Sequence, residues 1–202
     1  MSRTSVNKVS IRLASGGHSF SIYGEPKPMT LDAVLKQCAG SSVEIVVDSH
    51  KCALVPKEMF SADNCARHLA DMAIRVASTE CVVCSEPVDG IVAVMAADSV
   101  AVESIRSAAT AVRFTSPLLM GKSLERGTYL HLSEGVLYTR IYDATLRFAE
   151  AVEATTDGDI HFLLESLHRI YGIYNMNACA RGDVERLKRV TKGLFRTIEF
   201  EA

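Results

Sequence analysis

Hydrophobic and polar residues alternate with period two along much of this chain, and the alternation is broken by stretches with helical spacing. The pattern is plainest in the last third. Thr128 to Gly135, Val136 to Asp143 and Leu146 to Glu153 each alternate as a strand. From Ile160 to Tyr171 the apolar positions Ile160, Leu163, Leu164, Leu167, Ile170 and Tyr171 form one helical stripe, suited to packing on a sheet. A short strand is expected near Met176 to Ala180, a helix from Val184 to Leu194 and a strand from Phe195 to Glu201. Asp183 stands where it can cap that last helix, and Gly193 where the helix is expected to stop. Three strands, helix, strand, helix, strand is thus the order of this block.

The first half reads as a looser version with extra strands inserted. Val9 to Ala14 and His18 to Gly24 flank Ser15-Gly16-Gly17 as a hairpin, and Leu31 to Cys38 as a short helix. Val43 to Asp48 and Cys52 to Val55 are expected to form a second hairpin around Ser49-His50-Lys51. Pro56 can start a helix, and helical spacing runs from Cys65 through Leu69, Met72, Ala73 and Val76. Cys81 to Cys84 and Ile91 to Met95 are strand-like, joined by the turn Pro87-Val88-Asp89-Gly90. Ser99 is expected to cap a helix to about Ala109, before a strand at Val112 to Thr115. Gly121 to Gly127 is polar and carries two glycines, which marks it as a crossover between lobes. The domains expected are therefore 1–120 and 121–202, two α/β halves that each open with a tight hairpin.

Composition narrows the function classes. The 202 residues suit one large domain or two small lobes, and 48% hydrophobic with 23% charged residues is ordinary for a packed protein. A net charge of −2, no Trp and few other aromatics give no footprint for nucleic acid. The stretch Met1 to Lys8 is polar, and the longest apolar run, Ile91 to Ala97, is far short of a membrane span. A cytoplasmic protein with no membrane span is the expectation. The six cysteines are then expected to be buried reduced thiols.

Candidate chemistry is sparse. Cys81-Val82-Val83-Cys84 is a lone CxxC whose cysteines would point to opposite faces of a strand, so packing is expected rather than a metal or redox centre. The histidines His18, His50, His68, His131, His161 and His168 make no standard ligand spacing. His131 shares a strand face with Tyr129 and Ser133 and could line a cleft, but a satisfied, partly buried histidine is the expectation. Glu150, Glu153, Asp157 and Asp159 cluster after the third strand, and the two aspartates read as helix N-terminal charges. Arg186, Lys188, Arg189 and Lys192 read as cations toward the end of the last helix.

The stretches Ser10 to Ile22, Ala53 to Phe60 and His131 to Glu201 resemble a bacterial family, found mainly in Bacteroidetes, classed as a domain of unknown function. That family lies within the superfold of actin, sugar kinases and chaperone ATPases. The resemblance implies a mixed-sheet α/β fold of two ribonuclease-H-like lobes. In active members of the superfold the first hairpin of each lobe holds phosphates with glycine-flanked amides, and an aspartate helps hold hydrated Mg2+. Here the first bend offers Ser15, Gly16 and Gly17 without a carboxylate, and the second offers Ser133, Glu134 and Gly135. Loss of the aspartate removes charge neutralisation from phosphoryl transfer. The expectation is a catalytically degenerate scaffold or protein-interaction module, a pseudo-ATPase without catalytic residues, metal or cofactor, and with no large inserted subdomain. Pilus- and secretion-assembly platforms are precedents at the level of fold. A protein partner or self-association would follow. The alternative is a nucleotide-binding protein or weak ATPase that holds ATP and Mg2+ with Ser15, Gly16, Gly17, Ser133, Glu134 and Gly135.

Overall fold

The computed structural model describes residues 8–14, 20–22 and 29–201. The chain divides into two compact units, Met1–Leu119 and Met120–Ala202.

The second unit is a five-stranded sheet with two helices. Its strands are β8 Arg126–Ser133, β9 Val136–Asp143, β10 Thr145–Glu153, β11 Asn177–Gly182 and β12 Thr197–Phe200, in the order β10-β9-β8-β11-β12. The first three form an antiparallel meander, while β11 joins β8 and β12 joins β11 in parallel. Helix α4, Asp157–Tyr171, connects β10 to β11, and α5, Val184–Val190, connects β11 to β12. α4 starts where it does because Thr156 and Asp159 form a capping box. Thr156 Oγ1 accepts from Asp159 N at 3.1 Å, and Asp159 Oδ2 accepts from Thr156 N at 2.7 Å. It ends at Gly172, whose φ of 66° is left-handed. Its buried stripe of Ile160, Leu164 and Leu167 packs with Leu130, Leu132, Leu137 and Ile141 of the sheet. Burying each such side chain contributes roughly 1.5–3 kcal/mol, so this stripe outweighs the intrinsic preference of a helix this short.

The first unit holds two sheets. The larger contains β1 Lys8–Ala14, β2 Phe20–Ile22, β3 Ser42–Asp48 and β7 Ala111–Thr115, in the order β2-β1-β3-β7. β2 is antiparallel to β1, and β3 is parallel to both β1 and β7. Helix α1, Leu31–Cys38, leads into β3 and buries Val34 and Cys38. The smaller sheet contains β4 Cys52–Pro56, β5 Glu80–Cys84 and β6 Ile91–Asp98 in the antiparallel order β4-β6-β5. It carries α2, Cys65–Asp71, and its core is Ala53, Val55, Leu69, Val94 and Ala96. Helix α3, Ser99–Ala108, then returns the chain to β7.

Several expectations change. The smaller sheet and α2 form an insertion between β3 and α3: extra strands were expected in this looser half, but not a separate inserted subdomain. Val43 to Asp48 and Cys52 to Val55 are not a hairpin, because they lie in different sheets. Both edges of β3 are already occupied by β1 and β7, and its residues Val43, Ile45, Val46 and Val47 are buried as in an interior parallel strand. After Pro56 there are two 3-10 turns, Lys57–Met59 and Ala62–Asn64, in place of an α-helix. The helix from Cys65 stops at Asp71, before the left-handed Ala73 with φ 58°. The cap of α3 is Asp98, whose Oδ1 accepts from Ala101 N at 2.8 Å, and not Ser99. α5 ends at Val190, four residues earlier than expected, where Thr191 Oγ1 turns back to donate to Leu187 O at 2.7 Å. Among the described residues, no helix is long and apolar enough to cross a membrane.

Candidate functional site

The two bends singled out by the sequence differ in what can be said of them. Ser15, Gly16 and Gly17, with the neighbouring His18, lie outside the described residues. Ser133, Glu134 and Gly135 are brought together as the connection between β8 and β9. Ser133 pairs with Val136, so only Glu134 and Gly135 are left to turn the chain. Their φ values are 48° and 74°, both left-handed, as in the tightest hairpin turns. Gly135 is required there because a second consecutive left-handed residue strains any other side chain. Its carbonyl accepts from Ala154 N at 2.7 Å, which ties the turn to the end of β10. Ser133 is buried, whereas Glu134 is exposed. Phosphate cradles use several adjacent amides converging on one concave surface, commonly from alternate right- and left-handed residues. At this bend both turn residues are left-handed, without that alternation.

The carboxylates near this bend serve the fold. Asp183 follows β11 and caps α5, accepting from Arg186 N at 3.0 Å. The step from β11 into α5 passes very close to β8. A Cβ on Gly182, at φ 90°, would lie 2.0 Å from Leu132 O, so only glycine fits. Asp157 receives Arg186 Nε at 2.8 Å and Arg189 at 3.1 Å, and Arg186 also donates to Thr155 O. The hydrogen bond from Arg186 first, then that from Arg189, holds the Asp157 carboxyl below its usual range. Backbone and side-chain hydrogen bonding at Thr156 does the same for Asp159. The cations expected to face the end of α5 therefore include two that clasp the start of α4. Glu150 and Glu153 stay on β10, apart from this pairing.

His131 is buried on β8, with its ring 5.8 Å from that of Tyr138. On the same sheet face the Arg140 guanidinium lies 4.2 Å over the Tyr129 ring and donates to Met120 O at 2.5 Å. Of the heptad pair, His161 is exposed, while His168 stacks on Tyr174 at 4.2 Å and accepts its backbone N–H at 3.2 Å through Nδ1.

In the first unit the ends of β1 and β3 carry a carboxylate that sequence reasoning missed. Asp48 is fully buried, and Arg12 Nε reaches its Oδ2 at 2.9 Å. No local signal marked it, since Arg12 falls on the polar phase of the alternating strand Val9 to Ala14. Beside these strand ends lies a cavity of about 50 Å³ lined by Leu13, Ala14, Ser49, Glu80 and Asp98, among others. That is room for a water or two, far below the several hundred Å³ of a nucleotide site. Its acidic groups are also engaged. Lys51 Nζ contacts both oxygens of Glu80 at 2.8 and 2.7 Å, and Asp98 caps α3. Among the described residues, no group of three or more His, Cys, Asp or Glu is placed to hold a metal ion.

The CxxC cysteines do not meet. Cys84 instead points to Cys65 at the start of α2, with the sulfurs 2.8 Å apart. Cys65, Cys81 and Cys84 are each only half-buried, unlike Cys38, Cys52 and Cys179, so the expectation of six buried thiols holds for three.

No family model matches the chain, and no curated protein does. Solved structures do. A protein of Bacteroides thetaiotaomicron with actin-like ATPase fold and unknown function matches with TM-score 0.69 at 17% identity, over 96% of this chain and 90% of that one. The cytoplasmic domain of EpsL, an inner membrane component of the type II secretion system of Vibrio cholerae, matches with TM-score 0.54 at 12% identity, over 96% and 89%. At such identities the likeness establishes the fold, and this chain has the actin-like ATPase fold.

Proposed function

We propose that this chain is a non-catalytic actin-like scaffold, a pseudo-ATPase that engages a protein partner or a second copy of itself in the cytoplasm. The observation that carries this reading is the closed bend at Ser133, Glu134 and Gly135. The turn is only two residues long and both are left-handed, which argues against the longer run of alternating hand that cradles a triphosphate. The aspartates around it are consumed in caps and arginine pairs. Two further observations agree. Phe162 and Ile170, eight residues apart on one face of α4, are about three-quarters exposed, at 75% and 72%. Exposed apolar pairs of this kind suit protein contacts. The EpsL domain, a secretion-system component, offers a precedent for this fold within an assembly.

Thermal unfolding in millimolar ATP with Mg2+ tests the reading. The expected midpoint equals that in Mg2+ alone. A ligand at a hundredfold its dissociation constant would add about 2.7 kcal/mol and raise the midpoint by about 5 °C or more. A shift of that size that needs Mg2+ would overturn the proposal.

A further inference from the structure

α2 is weakly anchored. It has seven residues, one fully buried side chain in Leu69, and an N-cap residue, Asn64, whose side chain makes no capping bond. A tie at its first residue would therefore change its hold on the small sheet more than at a well-packed helix. Such a tie is in place in reduced form. Cys65 opens α2 and Cys84 ends β5, 19 residues later, and the Cys84 thiol donates to Cys65 Sγ at 2.8 Å. A shift of ~1 Å would bring the sulfurs to the bond length of a disulfide. Both residues are half-buried, so a small reagent can reach them. Cys81, the other half of the CxxC, points to the opposite face of β5 and is not a competitor.

We propose that Cys65 and Cys84 form a reversible disulfide that fastens α2 to the end of β5, by exchange with a low-molecular-weight disulfide of the glutathione class. Cys65 reacts first with the external disulfide. Its sulfur first attacks one sulfur of the external disulfide, and the other leaves as a thiol carrying the proton Cys65 gives up. Cys84 then attacks Cys65 Sγ, and its proton leaves with the second external thiol. Two protein thiols and one external disulfide become one protein disulfide and two external thiols. The order follows from Cys84, whose thiol burial and its bond to Cys65 push up to about 12, making it the slower to react with an outside reagent.

The whole chain is treated with excess glutathione disulfide, then analysed by intact mass and non-reducing peptide mapping. The expected result is a loss of about 2 Da and a single Cys65–Cys84 cross-link. The thermal midpoint should rise by several degrees, and excess reduced glutathione should reverse both changes. Cys84→Ser should stall with one glutathione on Cys65, while Cys81→Ser should behave as the parent. Unchanged thiols, a cross-link to another cysteine, or a bond that reduced glutathione does not reverse would each overturn the proposal, and the parent protein alone decides all three.

Discussion

The two units share one plan and differ at one step of it. β1, β2, β3 and β7 in the first correspond in order and direction to β8, β9, β11 and β12 in the second. In the second, Leu132 stands opposite Gly182, so the next register step sets Ser133 opposite Asp183. In the first, Ala14 stands opposite Asp48 at the same step. Each unit thus places an aspartate at the end of its second parallel strand. Asp183 is exposed and immediately caps α5. Asp48 is buried against Arg12, and the chain departs there into the inserted sheet. The capping duty passes to Asp98, where the chain rejoins the plan at α3. In the first unit the cap comes from the far side of the insertion, and the strand-end carboxylate is an internal ion-pair partner instead.

The comparison can be broken most sharply at Gly182. Gly182→Ala drives a Cβ into Leu132 O and should cost on the order of 3–5 kcal/mol by denaturant unfolding. A loss under about 1 kcal/mol would mean that the close strand-to-helix step is not fixed. Next comes Asp48→Ala, expected to cost about 2–3 kcal/mol, because it removes the buried carboxylate to which Arg12 Nε donates. Asp183→Ala at the equivalent position should cost only about 1 kcal/mol, the worth of a cap, and Asp98→Ala about the same. Equal losses at Asp48 and Asp183 would erase the distinction between the units.

The smallest effect is in acid. Burial alone would raise the Glu80 carboxyl, but hydrogen bonds from Lys51 and Ala77 N, with the Lys51 charge, outweigh it and hold the group below its ordinary value. A carboxyl lowered in the folded state stabilises above its unfolded pKa of about 4.3, and that stability is lost as pH falls through the folded value. The difference between the parent and Glu80→Gln should therefore be full at pH 6 and shrink below about pH 4. A difference that stays constant through that range would contradict the pairing.

Much of the second unit was legible because its signals are local. Alternation marked β8, β9 and β10, and the apolar stripe from Ile160 to Tyr171 with Asp157 and Asp159 before it marked α4. The turn at Glu134 and Gly135 was legible for the same reason, since it falls between two alternating strands where only a short connection fits. What failed was non-local. Nothing near Ser49-His50-Lys51 says that β4 must pair with β6, since that depends on β1 and β7 having filled the edges of β3. The Cys65–Cys84 contact was hidden similarly, although Cys65 with Leu69, and Val82 with Cys84, are the stripe and strand face that a helix packed on a sheet would join. The burial of Asp48 required knowing that β3 is interior.

The scaffold reading stands or falls at the β8–β9 bend. Titration of the 15N-labelled protein with ATP and Mg2+, following the amides of Ser133, Glu134 and Gly135, observes that bend directly. The expected result is three resonances that stay in place up to millimolar nucleotide. Saturable, Mg2+-dependent movement of those amides would contradict it.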